Sequence, residues 1–443
     1  MRAPARWFEP VFGILVVGGV LLAGVPAVAQ PADSSGTPGP ATSVSADSSA
    51  HPNRQPYATD RSVAYHVLAS PAYLLHGVTR PLGWGVRYVE QSFPNLFTGE
   101  RPPRGILPLF ELGGPTGFQA GLALYDNRFA RSDHKVRIEG LYGGPNTFET
   151  SASYVVPTPF GPGTHFEFDG AYFSDPSRTF FLGGNASDDS EDKGNFERDQ
   201  IDARMSLGVA PPSRALRGEI DVLYEHVEAR RGEGVEGERI ARADPAGLGT
   251  VDLLTSQVSL GLDRTKGQPR TYAGTELLLR IDYSQDLTAD RFRYGRYVAE
   301  VRQYVPVGIF PKSRRLALRG RLEQTEPLFD GEAVPFYQLP SLGGQNMLRG
   351  FPSNRFQNTG SLVLNVEYRY PIWSNWDAAL FVDSGQVFSG LSDVAADRLQ
   401  WSYGGGIHML NQKGLSFRFE VAGSPEGVRT ILTIDPTFRR LGR

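Results

Sequence analysis

The 443-residue sequence predicts an all-β protein: a transmembrane antiparallel β-barrel of about sixteen strands, with a short N-terminal helical segment ahead of it. Three observations predict this. The chain opens with an export leader. From residue 105 onward, apolar and polar residues alternate with period two, and the polar face carries Arg, Asp and Glu in strand after strand. The long polar gaps between these segments fall after the fifth, seventh and eleventh, so all lie on one side of a barrel with short turns at its other end.

Residues 1–29 read as a signal peptide. Arg2 and Arg6 are its positive start, Val11 to Leu22 its apolar core, and Ala27-Val28-Ala29 a small-x-small cleavage site before Gln30. The apolar run is shorter than the ~20 residues of a spanning helix. The chain has no cysteine, which excludes disulfides, thiol chemistry and a lipid-modified N-terminal Cys. Residues 30–60 are rich in Pro, Ser, Ala, Gly and Thr and nearly free of large apolar side chains, the composition of a disordered linker.

Residues 61–104 form an amphipathic helical segment. Val63, Val67, Leu74, Val78, Leu82, Val86 and Val89 recur on one helical face, and Pro71 and Pro81 divide the helix into short pieces. Such a helix can pack on the rest of the protein, lie on the periplasmic membrane surface, or plug a barrel. No strand pattern between the cleavage site and residue 104 supports a separate periplasmic domain of mixed strands and helices.

Residues 105–443 are the barrel. Ile201, Ala203, Met205, Leu207 and Val209 oppose Asp202, Arg204 and Ser206. Leu316, Leu318 and Leu322 oppose Arg315, Arg319, Arg321 and Glu323; Leu362, Leu364, Val366, Tyr368 and Tyr370 oppose Asn365, Glu367 and Arg369; Phe417, Phe419 and Val421 oppose Arg418 and Glu420. A soluble sandwich also alternates, but it seldom runs beyond 330 residues, and charge on one face of every strand suits a wet lumen. Strands are expected near 105–113, 116–126, 134–143, 147–157, 164–175, 197–210, 216–229, 250–263, 271–285, 291–306, 314–327, 359–372, 377–389, 400–411, 414–424 and 427–438. The long gaps are 176–196, 230–249 and 328–358, the last being the sixth external loop. The final strand carries Leu432, Ile434 and Phe438 on one face.

Within the sixth loop, residues 340–356 read P-S-L-G-G-Q-N-M-L-R-G-F-P-S-N-R-F. Gly343, Gly344 and Gly350 open backbone angles closed to other residues, and Pro352 stiffens the exit. Arg349 lies between Leu348 and Gly350, with Phe351 following. By residue type this is either a surface loop or a loop folded back into a cavity with apolar anchors and one directed charge. On the strand at 377–389, Phe381, Asp383 and Gly385 share a face opposite Leu380 and Val382. Those two suit lipid, so Asp383 points inward. Glu367, on the preceding strand, faces inward as well.

Three segments resemble one family. Leu348 to Phe351 (L-R-G-F) resembles the V/I-R-G-F/Y motif, Phe381 to Val387 (F-V-D-S-G-Q-V) the F-x-D-x-G strand motif, and Asn365 to Pro371 (N-V-E-Y-R-Y-P) the E-x-R-x-P strand of the BamA/TamA-type bacterial surface antigen barrels. All three stand in family order and spacing. The resemblance covers about residues 105 to 438. It implies a sixteen-stranded barrel with the long loop folded into the lumen, and it places Arg349 beside Asp383, with Glu367 sharing the guanidinium. It further implies insertion of proteins into the outer membrane or translocation of a polypeptide across it. The family usually carries periplasmic POTRA domains that receive clients; this chain looks like a short member without them.

Other chemistries find no support. The seven His are scattered, so no metal cluster is expected, and no G-x-S-x-G elbow occurs. Asp188, Asp189, Glu191 and Asp192 make a solvated acidic loop. The net charge of −3, without a basic stripe, argues against nucleic acid. The sequence therefore predicts a non-enzymatic protein without a cofactor. Its expected partners are outer-membrane lipid and periplasmic or outer-membrane proteins. A passive diffusion channel, or a structural or lipid-handling barrel working with a periplasmic partner, stand as alternatives.

Overall fold

The computed structural model describes residues 103–433, apart from 115–116, 145–146, 183, 185–192, 211–214, 268–269, 308–313, 374 and 412–413. The signal peptide, the linker, the helical segment up to residue 102, the acidic loop at 188–192, the end of the last strand and the expectation about a preceding periplasmic domain lie outside these residues.

In chain order the strands are β1 (Arg104–Gly114), β2 (Gly117–Asp126), β3 (Lys135–Gly144), β4 (Thr147–Pro157), β5 (Thr164–Phe181), β6 (Lys193–Val209), β7 (Leu216–Arg231), β8 (Gly249–Asp263), β9 (Gly274–Asp286), β10 (Arg293–Pro306), β11 (Arg315–Pro327), β12 (Ser341–Leu342), β13 (Phe356–Gln357), β14 (Gly360–Trp373), β15 (Trp376–Phe388), β16 (Gln400–Asn411), β17 (Gly414–Ser424) and β18 (Gly427–Thr433). β12 and β13 form a small ribbon inside the long loop; the other sixteen make one closed antiparallel barrel in sequence order. Among the described residues, β1 and β18 register through Leu112↔Leu432, and β10 and β11 pair from Tyr294↔Pro327 to Pro306↔Arg315.

The alternation sets the two faces. Leu122, Leu124, Ile138, Ile201, Met205, Ile220, Val258, Leu260, Ile281, Val366 and Val382 stand exposed on the outside, the apolar band of a membrane-spanning barrel. Tyr142, Tyr172, Tyr283, Trp401 and Tyr403 are exposed with them and supply interfacial aromatics. Inside, the register lines up Arg302, Arg319, Asn365, Asp383 and Ser402 as one polar row across β10, β11, β14, β15 and β16.

Three departures from the expected strands have local causes. β5 and β6 run past the expected ends at 175 and 197 into the 176–196 gap. The register shifts between Asp175 and Arg178, a bulge that accommodates Pro176, and pairing resumes with Arg178↔Phe196. The arm is retained because Phe180 and Phe196 pack with Ala229, Phe336 and Ile240. Second, the 230–249 gap holds α1 (Gly234–Ala243), whose Ile240 is wholly buried in that cluster. Third, residues 271–273, expected as strand, belong to the β8–β9 turn; β9 starts at Gly274, which has φ +110°.

Candidate functional site: a loop latched inside the barrel

The segment between β11 and β14 enters the lumen as a compact knuckle. Ser341↔Gln357 and Leu342↔Phe356 close its neck. The Gly344 amide donates to the Phe351 carbonyl at 2.9 Å. Gly343 has φ +113°, and a Cβ there would stand 2.0 Å from the Pro352 carbonyl oxygen, so only glycine lets the two arms of the knuckle touch. Leu342, Leu348, Phe351 and Phe356 pack with Val363 of β14 and Val387 of β15 into one buried cluster, joined by Met347. Gly385 leaves room for this: a Cβ on it would lie 3.0 Å from Leu342 Cδ1. Gly350 presses on the adjoining strands β16 and β17, where a Cβ would meet Ser402 Cβ at 2.7 Å and the Gly423 carbonyl oxygen at 2.6 Å.

These contacts aim Arg349 at a carboxylate cage. Its Nε donates to Asp383 Oδ2 at 2.9 Å and Nη2 to Asp383 Oδ1 at 2.7 Å, a bidentate pair. Nη1 donates to Glu367 Oε2 at 2.8 Å and Glu420 Oε1 at 3.0 Å. The guanidinium carbon lies 3.3 Å from the Phe381 ring centroid, so the plane is stacked on an aromatic face as well. Arg349, Asp383, Glu367 and Glu420 are all essentially inaccessible.

Each carboxylate has further support, as buried charge requires. Asn365 Nδ2 donates to Asp383 Oδ1 at 2.9 Å, and Ser402 Oγ to Asp383 Oδ2 at 3.2 Å. Arg369 Nε binds Glu367 at 2.5 Å. His408 Nε2 lies 2.9 Å from Glu420 Oε1. Two wall arginines grip the knuckle's own backbone: Arg319 Nη1 donates to the Asn346 carbonyl at 2.6 Å, and Arg418 Nη1 to the Gln345 carbonyl at 3.1 Å. Arg319 is itself bound twice by Glu300, at 2.9 and 3.1 Å. The loop is therefore held from β11, β14, β15, β16 and β17 together.

Residues 132–423, which include the loop and its whole cage, match the Omp85 superfamily domain. The chain belongs to the Omp85 superfamily. Among solved structures, this Omp85 barrel is similar to BamA from Haemophilus ducreyi lacking POTRA domains 1–3, with 16% identity, a TM-score of 0.56, and coverage of 75% of this chain and 70% of that one. It is also similar to CdiB from Escherichia coli, with 10% identity and a TM-score of 0.50, covering 75% of this chain and 62% of CdiB. At these identities the likeness is one of fold. No curated protein matches the chain.

The structure brings the eight residues singled out in the sequence into one place: Leu348, Arg349, Gly350 and Phe351 from the loop, and Glu367, Phe381, Asp383 and Gly385 from the wall. Sequence reasoning missed Glu420, His408, Asn365 and Ser402 as members of the cage, and Arg319 and Arg418 as clamps. Alternation had already set Glu420, Arg418, Arg319 and Asn365 on the polar face. No spacing in the chain says that β16 and β17 meet a loop some seventy residues earlier.

Proposed function

We propose that this Omp85 barrel works at the outer membrane of a Gram-negative-type bacterium, where it aids insertion of proteins into that membrane or their translocation across it. Its partners are outer-membrane lipid and polypeptide clients, and the reading assigns it no catalytic chemistry and no cofactor. The observation that carries this is the latched loop. A rigid internal element, fastened to the wall by a buried ion-pair cage, suits a barrel that handles polypeptide beside that wall.

The test is reconstitution. Purified full chain in phosphatidylethanolamine-containing liposomes should shorten the folding half-time of a urea-unfolded eight-stranded outer-membrane protein several-fold. Asp383→Ala, inserted to the same level, should lose most of that acceleration. Solute conduction without any acceleration would overturn the proposal in favour of a diffusion channel.

A further inference from the structure

Two short connections at the barrel end opposite the long loops, the periplasmic end, carry exposed aromatic side chains. Phe129 lies in the turn between β2 and β3 and is 44% exposed. Phe160 lies in the turn between β4 and β5 and is 78% exposed.

The β2–β3 turn folds outward over the wall. Tyr154 of β4 pairs with Val136 of β3 and with Phe168 of β5, and Phe168 is exposed on the outer face, so Tyr154 faces outward too. The Phe129 ring meets the Tyr154 ring edge-on, with centroids 6.3 Å apart, and the His134 ring meets it at 5.6 Å. His134 Nδ1 lies 2.6 Å from the Tyr154 hydroxyl. The turn's own backbone fixes it: the Phe129 amide donates to the His134 carbonyl at 2.9 Å, and the Ser132 amide to the Phe129 carbonyl at 3.1 Å. Phe129 therefore stands on the lipid side of the wall.

The β4–β5 turn is equally fixed. The Thr158 amide donates to the Thr164 carbonyl at 2.8 Å, and the Phe160 amide to Thr164 Oγ1 at 3.2 Å. Gly163 has φ +88°, and a Cβ there would stand 2.1 Å from the Ala210 carbonyl oxygen, so glycine lets the turn run against the end of β6. The Ala210 amide donates to the Gly163 carbonyl at 2.6 Å. Val209, beside that bond and paired with Thr164, is half exposed on the lipid face. The apolar band of the wall thus continues to the base of the turn that holds Phe160.

Charge completes the pattern. Arg104 and Arg128 are exposed beside the β2–β3 turn, and both meet Asp126, through the Arg104 Nε at 2.8 Å and the Arg128 amide at 2.9 Å. Aromatic rings at the margin of an apolar band, with arginines next to them, suit the layer where phospholipid headgroups meet acyl chains.

We propose that the turns 127–134 and 158–163 lie in the headgroup layer of the periplasmic leaflet, not in the aqueous periplasm, and that Phe129 and Phe160 insert among the phospholipids as anchors for the β2–β5 side of the barrel. The anchor requires only a bilayer around the barrel and does not depend on what the barrel handles.

The chain has no cysteine, so one introduced thiol carries the only spin label. Phe129→Cys and Phe160→Cys are labelled separately in the purified full chain, each confirmed as a folded barrel by its mobility shift on heating. They are placed in nanodiscs of phosphatidylethanolamine and phosphatidylglycerol, where both faces meet the buffer. Val235→Cys, at an exposed position of α1, is the aqueous reference. Collision with a water-soluble nickel chelate should be at least fivefold lower at 129 and 160 than at 235, and collision with oxygen, which concentrates in the bilayer, should be higher. Nickel collision at either position equal to that at 235 puts the turn in water and overturns the proposal. Low collision with both reagents means cover by protein, such as a second copy of the chain, and overturns it equally. The anchoring itself is read from Val209→Cys: adding Phe129→Ser and Phe160→Ser should raise nickel collision there at least threefold, and an unchanged value overturns it. No client is present, so failure here is distinct from failure of the assembly proposal.

Discussion

The backbone amide of Arg349 lies 3.2 Å from Asp383 Oδ2, so loop and wall meet through the main chain as well as through the guanidinium. Short side chains at both positions should therefore still reach each other. Arg349→Cys with Asp383→Cys should form a disulfide on mild oxidation in intact membranes, seen as a mobility shift reversed by reductant. The hydrophobic anchors Leu348 and Phe351 hold the loop in place even without the charge pair. A persistent free thiol at position 349, labelled by an impermeant reagent from the cell exterior, would show a loop outside the lumen.

Removing the guanidinium should cost more than shortening it. Arg349→Ala strands three carboxylates that share one cation, and breaking a buried pair of this kind costs ~3–5 kcal/mol, less where water enters the lumen. Arg349→Lys keeps the charge but loses the bidentate fork and the stacking on Phe381. Both variants should insert as barrels, with midpoints of urea unfolding in the order wild type, then Lys, then Ala. Equal midpoints for all three would show that the cage contributes nothing to the loop's hold.

The barrel was legible because its signal is local and repeated. Period two fixed which residues face inward, so the orientation of Asp383 and Glu367 followed from Leu380 and Val382. The cage was only half legible. Glu420 reaches Arg349, and His408 supports Glu420, because the barrel wall curves β16 and β17 round to the loop, and that curvature has no trace in the spacing. The β5–β6 arm was hidden by Ser174-Asp175-Pro176-Ser177, which reads as a turn until a bulge absorbs the proline. Helix α1 was hidden too: G-V-E-G-E-R-I-A-R-A offers little apolar stripe beyond Ile240, and its stability comes from the aromatic cluster it caps. Thr271-Tyr272-Ala273 read as strand by propensity, and the positive φ of Gly274 puts them in the β8–β9 turn instead.

Gly350 tests how tightly the knuckle is docked. It has no positive φ, so a side chain there is refused by contact and not by backbone conformation. The Gly423 carbonyl oxygen and Ser402 Cβ cannot both retreat without moving β16 and β17. Gly350→Val should push the tip off the wall, lengthen the Arg349–Asp383 contact and lower loop protection while the barrel stays closed. Hydrogen exchange at residues 344–351 should rise at least tenfold over wild type, with the exchange of β10 and β11 unchanged. Unchanged exchange at the tip would mean that the wall yields to the added side chain.

The outer part of the same loop is fastened separately, and this gives a prediction that leaves the cage intact. Phe336 sits between Phe180 and Phe196, with ring centroids 4.9 and 4.7 Å away in edge-on contacts, and Ile240 of α1 closes the cluster from above. Gly194 makes the fit close, since a Cβ on it would lie 2.5 Å from Ile240 Cδ1. Truncating a buried isoleucine to alanine costs ~2–5 kcal/mol, the upper end where the surroundings cannot collapse into the space. Here the strands of the β5–β6 arm are hydrogen-bonded to each other and restrain such collapse. Ile240→Ala should therefore loosen α1 and the 328–340 stretch together. Proteinase K added outside intact cells should cut near residues 234–243 and 328–340 in the variant and spare them in wild type. Residues 341–357 should stay protected, because the Arg349 cage and the Leu348–Phe351 cluster do not involve Ile240. Cleavage spreading through 341–357 at the same rate would show that the external cluster and the lumenal latch are one cooperative unit.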